Sequence, residues 1–243
     1  MLFVPVERIS SNSRFPPWIR YQHLQRYAWA SSFAKGKSVL DAAAGAGYGT
    51  IALADADALS VCGLDICEIV VRHCRITNDR LNVKYVTGDV TALPMPNDSF
   101  DLYVSFETIE HVRCADNYLS EARRVLRNDG LFLCSTPNRI VMNAAKGVDE
   151  QSFNPFHVRE YTADEFLASL LPHFSTVHLY GQSFYRASYV RCLQWLGRRS
   201  RFAAVRAHQL RKLLGVPFDT VERHVPKRLG GARIPEILLA VCQ

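Results

Sequence analysis

The stretch VLDAAAGAGYGT, Val39 to Thr50, runs an apolar segment into three glycines, Gly45, Gly47 and Gly49, set ahead of residues that read as a helix. Glycines in that place let the backbone turn sharply and approach a ligand, and the following helix offers unpaired N–H groups in its first turn. A Gly-rich turn after a strand fits many nucleotide binders and also a turn that serves packing alone, so its neighbours decide between them.

From Lys37 to about Thr136, apolar runs alternate with helix-like segments, the pattern of βαβ units in a parallel sheet. SVLDA (38–42), LSVCGLD (59–65), VKYVTGD (83–89), FDLYVSF (100–106) and GLFLCST (130–136) read as strands. Helices fit at 48–55, 67–80 and 115–127, the last stopped by Asn128-Asp129-Gly130. Beyond Pro137, Thr162-Ala-Asp-Glu165 is a capping box for a helix that ends before Pro172. STVHLYG (175–181) and EILLAVC (236–242) complete the expected fold: α/β, a doubly wound, Rossmann-like, seven-stranded and mostly parallel sheet.

Asp65 ends the second strand, 18 residues after Gly47, about where a doubly wound fold presents a carboxylate to both ribose hydroxyls. Asp89 ends the third in TGDVTALP, placed to accept a hydrogen bond from the exocyclic amine of a base. Three successive strand ends thus deliver polar groups to one sheet edge, where such folds bind ligands.

Length and composition bound the rest. With 243 residues, 48% of them hydrophobic, the chain buries one core with room for an appendage. Lys and Arg total 29 against 23 Asp and Glu, which favours an anionic partner without naming one. The seven cysteines, an odd number with no CxxC pair, read as reduced thiols in a cytoplasmic protein, mostly filling the core. MLFVPVERIS lacks the order of a signal peptide, and no apolar run approaches the roughly 18 residues that span a bilayer. The expectation is a soluble protein, or one peripheral at a membrane.

Arg186, Arg191, Arg198, Arg199, Arg201, Arg206, Arg211 and Lys212 follow one another with no acidic residue until Asp219. Val190, Leu193, Trp195, Leu196, Val205, Leu210, Leu213 and Leu214 are interleaved, consistent with two amphipathic helices joined near Gly197. Two readings stand: solvated arginines on a packed appendage, or a lid that meets an anionic substrate or a membrane surface.

The order VLDAAAGAGYG, GLDI, GDVTALPMPNDSFDLYVSFETIEHV and EARRVLRNDGLFLCSTPN resembles the class I S-adenosylmethionine-dependent methyltransferases over roughly residues 37 to 180. The resemblance implies a division into an N-terminal helical segment covering the cofactor (1–36), a methyltransferase core (37–181), a basic helical insert or lid (182–235) and the last strand (236–243). It implies that the loop from Asp41 to Gly49, with Ala43, Gly45 and Gly47, holds the methionine part of the cofactor. Asp65 with Ile66 would meet the ribose and Asp89 with Val90 the adenine, and Phe106 belongs to the same pocket. Ala43 stands where many relatives have the loop's first glycine, a replacement that suits a negative φ. In WIRYQHLQRYAWA, read as a helix over the cofactor, Tyr21, Arg26 and Tyr27 either reach the methionine carboxylate or pack.

In this fold SFETIEHV (105–112) lies beside the transferable methyl group. Transfer to a hydroxyl needs alignment and a way to remove its proton. His111 or His157 could be a general base oriented by a carboxylate, or Glu107, Glu110, His111 and His157 could bind a divalent cation. E-x-x-E-H followed by H-x-x-E-aromatic in NPFHVREYT is similar to the ubiquinone-pathway O-methyltransferases and to those that modify the terminal ribose of small RNAs, which implies that four-residue metal set. Mg²⁺ or Mn²⁺ suits it, and Zn²⁺ fits by ligand type. The motif also occurs in relatives without an evident metal, where Glu107 lines the cofactor pocket and His111 caps the next helix.

The whole pattern is most similar to methyltransferases associated with surface polysaccharides and sugars. The leading expectation is O-methylation of a sugar, glycan or glycolipid acceptor, with the basic insert suited to a phosphate-bearing one. A quinone-pathway phenol, an RNA terminal ribose and a non-catalytic S-adenosylmethionine-binding protein are the alternatives. No RNA-binding module is readable in the chain.

Overall fold

The structure, a computed structural model, describes residues 17–78, 80–145, 154–200, 202–207, 222–223 and 233–243. Helix α1 (Pro17–Ser31) precedes β1 (Ser38–Ala42), α2 (Tyr48–Asp55), β2 (Ser60–Asp65), α3 (Glu68–Thr77), β3 (Val83–Thr87) and β4 (Phe100–Phe106). A 3-10 turn (Ile109–His111), α4 (Ala115–Val125), β5 (Leu126–Pro137), α5 (Arg139–Met142) and α6 (Ala163–Leu170) follow. The chain then forms β6 (Val177–Arg186), α7 (Ala187–Arg199), β7 (Glu222–Arg223) and β8 (Arg233–Cys242).

The strand order is β3-β2-β1-β4-β5-β8-β6-β7. The pairs from β3 across to β5 are parallel, and β8 runs antiparallel to both β5 and β6. All seven expected strands are present, and β7 adds a two-residue pairing with Tyr180 and Gly181 at the edge.

Alternation along each strand fills two layers. Leu40, Tyr103, Phe132 and Leu238 join Tyr118, Leu119 and Phe166 on one face of the sheet. Val39, Val104, Leu133 and Leu239 pack with Tyr27, Ala30 and Leu53 on the other. Cys62, Cys74, Cys134 and Cys242 are buried thiols outside any disulfide, while Cys114 and Cys192 are exposed. The capping box at Thr162 and Glu165 is formed in both directions.

Three local expectations are corrected. Asn128-Asp129-Gly130 does not stop α4, which ends at Val125; the triplet lies inside β5, in a bulge between Leu126, opposite Phe100, and Leu131, opposite Leu102. Gly197 is not a joint: α7 continues through it to Arg199, and the chain resumes as helix at 202–207. A Cβ at Gly197 would lie 2.2 Å from the Ala145 carbonyl oxygen, so this glycine lets α7 approach the backbone that follows α5. Finally, Ala43 has φ 58, the left-handed region, rather than the negative φ its identity suggested. Of the basic run, Arg201, Arg211 and Lys212 lie outside the described residues, as do Leu210, Leu213 and Leu214.

Two stability measurements check these backbone readings. Gly197→Ala is expected to cost about 1–3 kcal/mol despite alanine's better helix propensity, because the obstacle is main chain. Ala43→Gly is expected to gain about 0.5–1 kcal/mol, raising the thermal midpoint by roughly 1–4 °C.

Candidate functional site

The C-terminal ends of β1, β2, β3, β4 and β5 open into one cavity of ≈ 840 Å³. Parallel strands put these ends on the same edge, and the sheet reverses order between β1 and β4, so connections leave to opposite faces and a crevice forms between them.

One half is built from Ala43 and Gly45 after β1, Asp65 and Ile66 after β2, Asp89 and Val90 after β3, and Phe106 at the end of β4. The Asp65 carboxylate accepts from the backbone N–H groups of Gly45 (3.0 Å) and Cys67 (2.9 Å), tying the first loop to the second. Carboxylate oxygens each carry two lone pairs, so these bonds leave capacity for ribose hydroxyls. Asp89 sits just beyond β3, where its Oδ1 accepts from the Thr91 N–H and hydroxyl, both at 2.8 Å. A Cβ at Gly45 would meet nothing within 4 Å, and Ile66 is 67% exposed on the wall. An open backbone cradle, an uncovered apolar side chain and acidic groups spaced along the edge fit S-adenosylmethionine.

Four expected cofactor residues do not line this cavity. Tyr21 is exposed on the outer side of α1. Arg26 is fully buried and donates to Gln182 Oε1 (2.7 Å) on β6, anchoring α1 to the sheet. Gly47 is the N-cap of α2, facing Asn78 and Tyr85. Asp41 is sealed behind the loop, accepting from the Tyr27 hydroxyl (2.8 Å) and the Thr50 hydroxyl (2.6 Å). Tyr27, the third aromatic or basic residue singled out on α1, does line the cavity, through a ring whose hydroxyl is committed to Asp41.

The other half holds the polar cluster. Glu107 has φ 52, a strained conformation; Ser135 holds it, accepting from the Glu107 N–H (3.1 Å) and donating its hydroxyl to Oε1 (2.7 Å). Glu110, 0% exposed, accepts from the Thr136 hydroxyl through Oε2 (3.0 Å), while Oε1 has no hydrogen-bond partner among the described residues. Burial, then the Glu107 charge, pushes the Glu110 carboxyl well above the usual carboxylate range. The main chain reinforces the arrangement, since the Glu110 carbonyl accepts from the N–H groups of Val158 (2.7 Å) and Arg159 (3.2 Å).

These backbone bonds bring His157 beside His111, their ring centroids 4.9 Å apart. His111 Nδ1 faces the Phe156 carbonyl oxygen (3.0 Å), an acceptor, so Nδ1 carries the proton. His157 Nδ1 faces Glu160 Oε1 (2.9 Å), with both side chains buried. In its neutral form each ring would present a lone pair on Nε2. Ligand atoms of Glu110, His111 and His157 all lie within 4.8 Å of one another; Glu107, expected as a fourth ligand, is outside that group.

Glu160, Glu236 and His23 also line the cavity and were not singled out by sequence reasoning. Glu160 was visible in the H-x-x-E spacing after His157, but its role emerges only from the contact. Glu236 comes from the far end of the chain, where its Oε2 accepts from the Gln22 side-chain amide (3.0 Å). His23 faces the Tyr48 hydroxyl (3.1 Å), and burial with the nearby Arg26 charge holds its pKa well below the usual histidine value.

Asp41 generates a pH prediction. Burial raises its carboxyl from 3.8 to about 6, the Thr50 and Tyr27 hydrogen bonds opposing part of the rise. The folded state binds this proton more tightly than the unfolded chain, so the stabilisation is complete below about pH 4 and is lost as pH rises through about 6, a change of roughly 3 kcal/mol. Asp41→Asn keeps an acceptor for one hydroxyl and offers a donor to the other. Thermal midpoints measured across that window should decline less with pH in the variant than in the wild type.

Comparison with known proteins agrees with this architecture. Residues 40–134 match the methyltransferase domain family. A Mycolicibacterium smegmatis protein described as a probable S-adenosylmethionine-dependent methyltransferase is 39% identical over 148 residues, 61% of this chain and 55% of that protein. The chain thus spans little more than half the length of that relative. A ubiquinone biosynthesis O-methyltransferase of Roseobacter denitrificans is 33% identical over 107 residues, 43% of each chain. The solved structure of the YcgJ protein of Bacillus subtilis shares the fold, with a TM-score of 0.57 at 18% identity over 91% of this chain and 99% of that one. Family match, strand order and the loops gathered at one sheet edge agree: residues 40–134 match a methyltransferase domain, and the chain is similar to S-adenosylmethionine-dependent methyltransferases in sequence and fold.

Proposed function

We propose that this chain transfers the methyl group of S-adenosylmethionine to a hydroxyl oxygen of a sugar, glycan or glycolipid acceptor. The observation that carries the reading is the continuity of one cavity from the Gly45, Asp65 and Asp89 edge to the paired imidazoles and buried carboxylates. In it Gly45, Asp65, Ile66, Asp89, Val90 and Phe106 hold the cofactor, which supplies an electrophilic methyl group on a sulfonium sulfur.

The protein's own part is to place the acceptor and remove its proton. Glu160 accepts the Nδ1 proton of His157, which orients the ring and stabilises the imidazolium formed when Nε2 takes the hydroxyl proton. Glu107, Glu236, Asn143 and Asn154 line the same wall beside the ring of Phe156, a mixture that suits hydroxyl groups and an apolar sugar face. Arg113 is the one Lys or Arg among the described lining residues, so the cavity favours a neutral polyol over an anionic group. A phosphate on the acceptor belongs outside it.

Glu110 Oε1, without a hydrogen-bond partner among the described residues, supports an alternative in which His157 Nε2 is a ligand rather than the base. Glu110, His111 and His157 supply a carboxylate and two imidazoles, donors that fit Mg²⁺, Mn²⁺ or Zn²⁺. Such an ion would lower the pKa of a coordinated hydroxyl. The Roseobacter relative supports oxygen as the accepting atom and makes a quinone-pathway phenol the runner-up.

Calorimetric titration with S-adenosylhomocysteine, with and without Mg²⁺ or Mn²⁺, tests the cofactor half, and elemental analysis reads the metal. His157→Ala is expected to retain S-adenosylhomocysteine affinity and lower methyl transfer about 10²–10⁴-fold. If a cation is bound, Glu110→Gln should release it. Absence of S-adenosylhomocysteine binding would overturn the reading.

A further inference from the structure

Among the described residues, none of the basic run after β6 lines the cavity. Between Arg186 and Lys212 eight Lys and Arg stand with no acid, while outside that segment 21 Lys and Arg face 23 Asp and Glu. The positive excess of the whole chain therefore resides here. On α7, Val190 and Leu193 are buried, in a cluster with Val141 and Ala144. Arg191, Trp195, Arg198 and Arg199 are exposed at helical spacing on α7, and Phe202 and Arg206, four residues apart, are exposed in 202–207. Trp195 is 53% and Phe202 74% exposed, large apolar rings left in water. Arg199 lies over the Trp195 ring (4.1 Å to the centroid) and Arg206 over Phe202 (5.9 Å). None of these four arginines pairs with a carboxylate among the described residues.

We propose that this exposed face of α7 and 202–207 docks on the surface of an anionic lipid bilayer. An interfacial helix combines aromatic rings at the acyl boundary with guanidinium groups at the level of the phosphates; α7 offers both on one side, and Phe202 with Arg206 repeat the pairing just beyond it. A single-stranded nucleic acid calls instead for a groove that tracks the backbone and ring faces open to bases. Here the residues stand on the outer side of a helix, and arginine covers a face of each ring. The opposite side of α7 packs on α5, and Met142 and Asn143 line the cavity, so the docked face lies about one helix diameter, ~10 Å, from the helix that borders the site. The proposal does not depend on which acceptor is methylated.

Co-sedimentation of the full chain with vesicles tests it. Binding is expected to phosphatidylcholine vesicles containing one-third phosphatidylglycerol, to weaken as NaCl rises, and to be absent with pure phosphatidylcholine. R198Q/R199Q should lower binding about 25-fold, about fivefold per arginine. K35Q/K84Q removes equal charge from elsewhere and should bind as the wild type, and unchanged circular dichroism and thermal midpoints show that each variant is folded. W195A/F202A should weaken binding even at low salt. Equal loss in K35Q/K84Q would show nonspecific attraction and overturn the proposal. So would wild-type binding by R198Q/R199Q, failure to bind anionic vesicles, or release of the protein from them by poly-uridylate.

Discussion

The reversal of strand order between β1 and β4 governs everything this chain does with its side chains. Because β2 and β4 flank β1 and all three run parallel, their C-terminal ends share an edge while their connections part to opposite faces. The gap cannot be closed by the sheet itself, so the loops after β1, β2, β3 and β4 become walls. Antiparallel β8, wedged between β5 and β6, then brings Glu236 from near the chain terminus to the rim opposite those loops. The groups from Ala43 to His111 lie at a strand end or within a few residues of one, whereas His157 and Glu160, between α5 and α6, are brought in by the Glu110 carbonyl.

Helix α1 completes the enclosure with polar anchors beside the apolar packing of Tyr27 and Ala30. Gln22 donates to Ser183 (2.8 Å) and Glu236 (3.0 Å), Arg26 donates to Gln182, and the Tyr27 hydroxyl reaches Asp41. Buried hydrogen bonds to charged groups are costly to leave unmade, so they specify where the helix sits more sharply than a greasy contact would. One side of α1 thus holds both the wall of the cavity, through His23 and Tyr27, and the anchors that keep that wall in place.

Strand positions were legible because burial on both faces leaves short apolar runs such as SVLDA or FDLYVSF, and the Thr162 capping box because its two hydrogen bonds span only three residues. What escaped reading depended on partners remote in sequence. Arg26 pairs with Gln182 and Gln22 with Glu236, and no local pattern announces either. Asp41 carries the acidic residue expected of the loop, yet Tyr27 from α1 and Thr50 from α2 close over it. Gly197 looked like a joint because glycine breaks helices in isolation, whereas the close approach of Ala145 is a tertiary fact. At Ala43 the loop needs a left-handed turn whichever side chain stands there, a case where the shape of the site outweighs residue preference.

The polar cluster makes sense only as an arrangement with something in it. Glu110 is excluded from solvent, keeps one carboxylate oxygen without a hydrogen bond among the described residues and has Glu107 nearby. A buried carboxylate in that position avoids a large desolvation cost only by holding a proton or by facing a cation or donor. A protein selected for stability alone would replace it with an apolar residue of similar volume. Instead the backbone is strained at Glu107, the Glu110 carbonyl clamps the segment that carries His157, and Glu160 orients the ring. Strain, an orphaned acceptor and oriented imidazoles gathered at one end of a cavity are unfavourable taken singly. Their common explanation is a ligand-bearing state, with the cofactor at one side and the acceptor at the other.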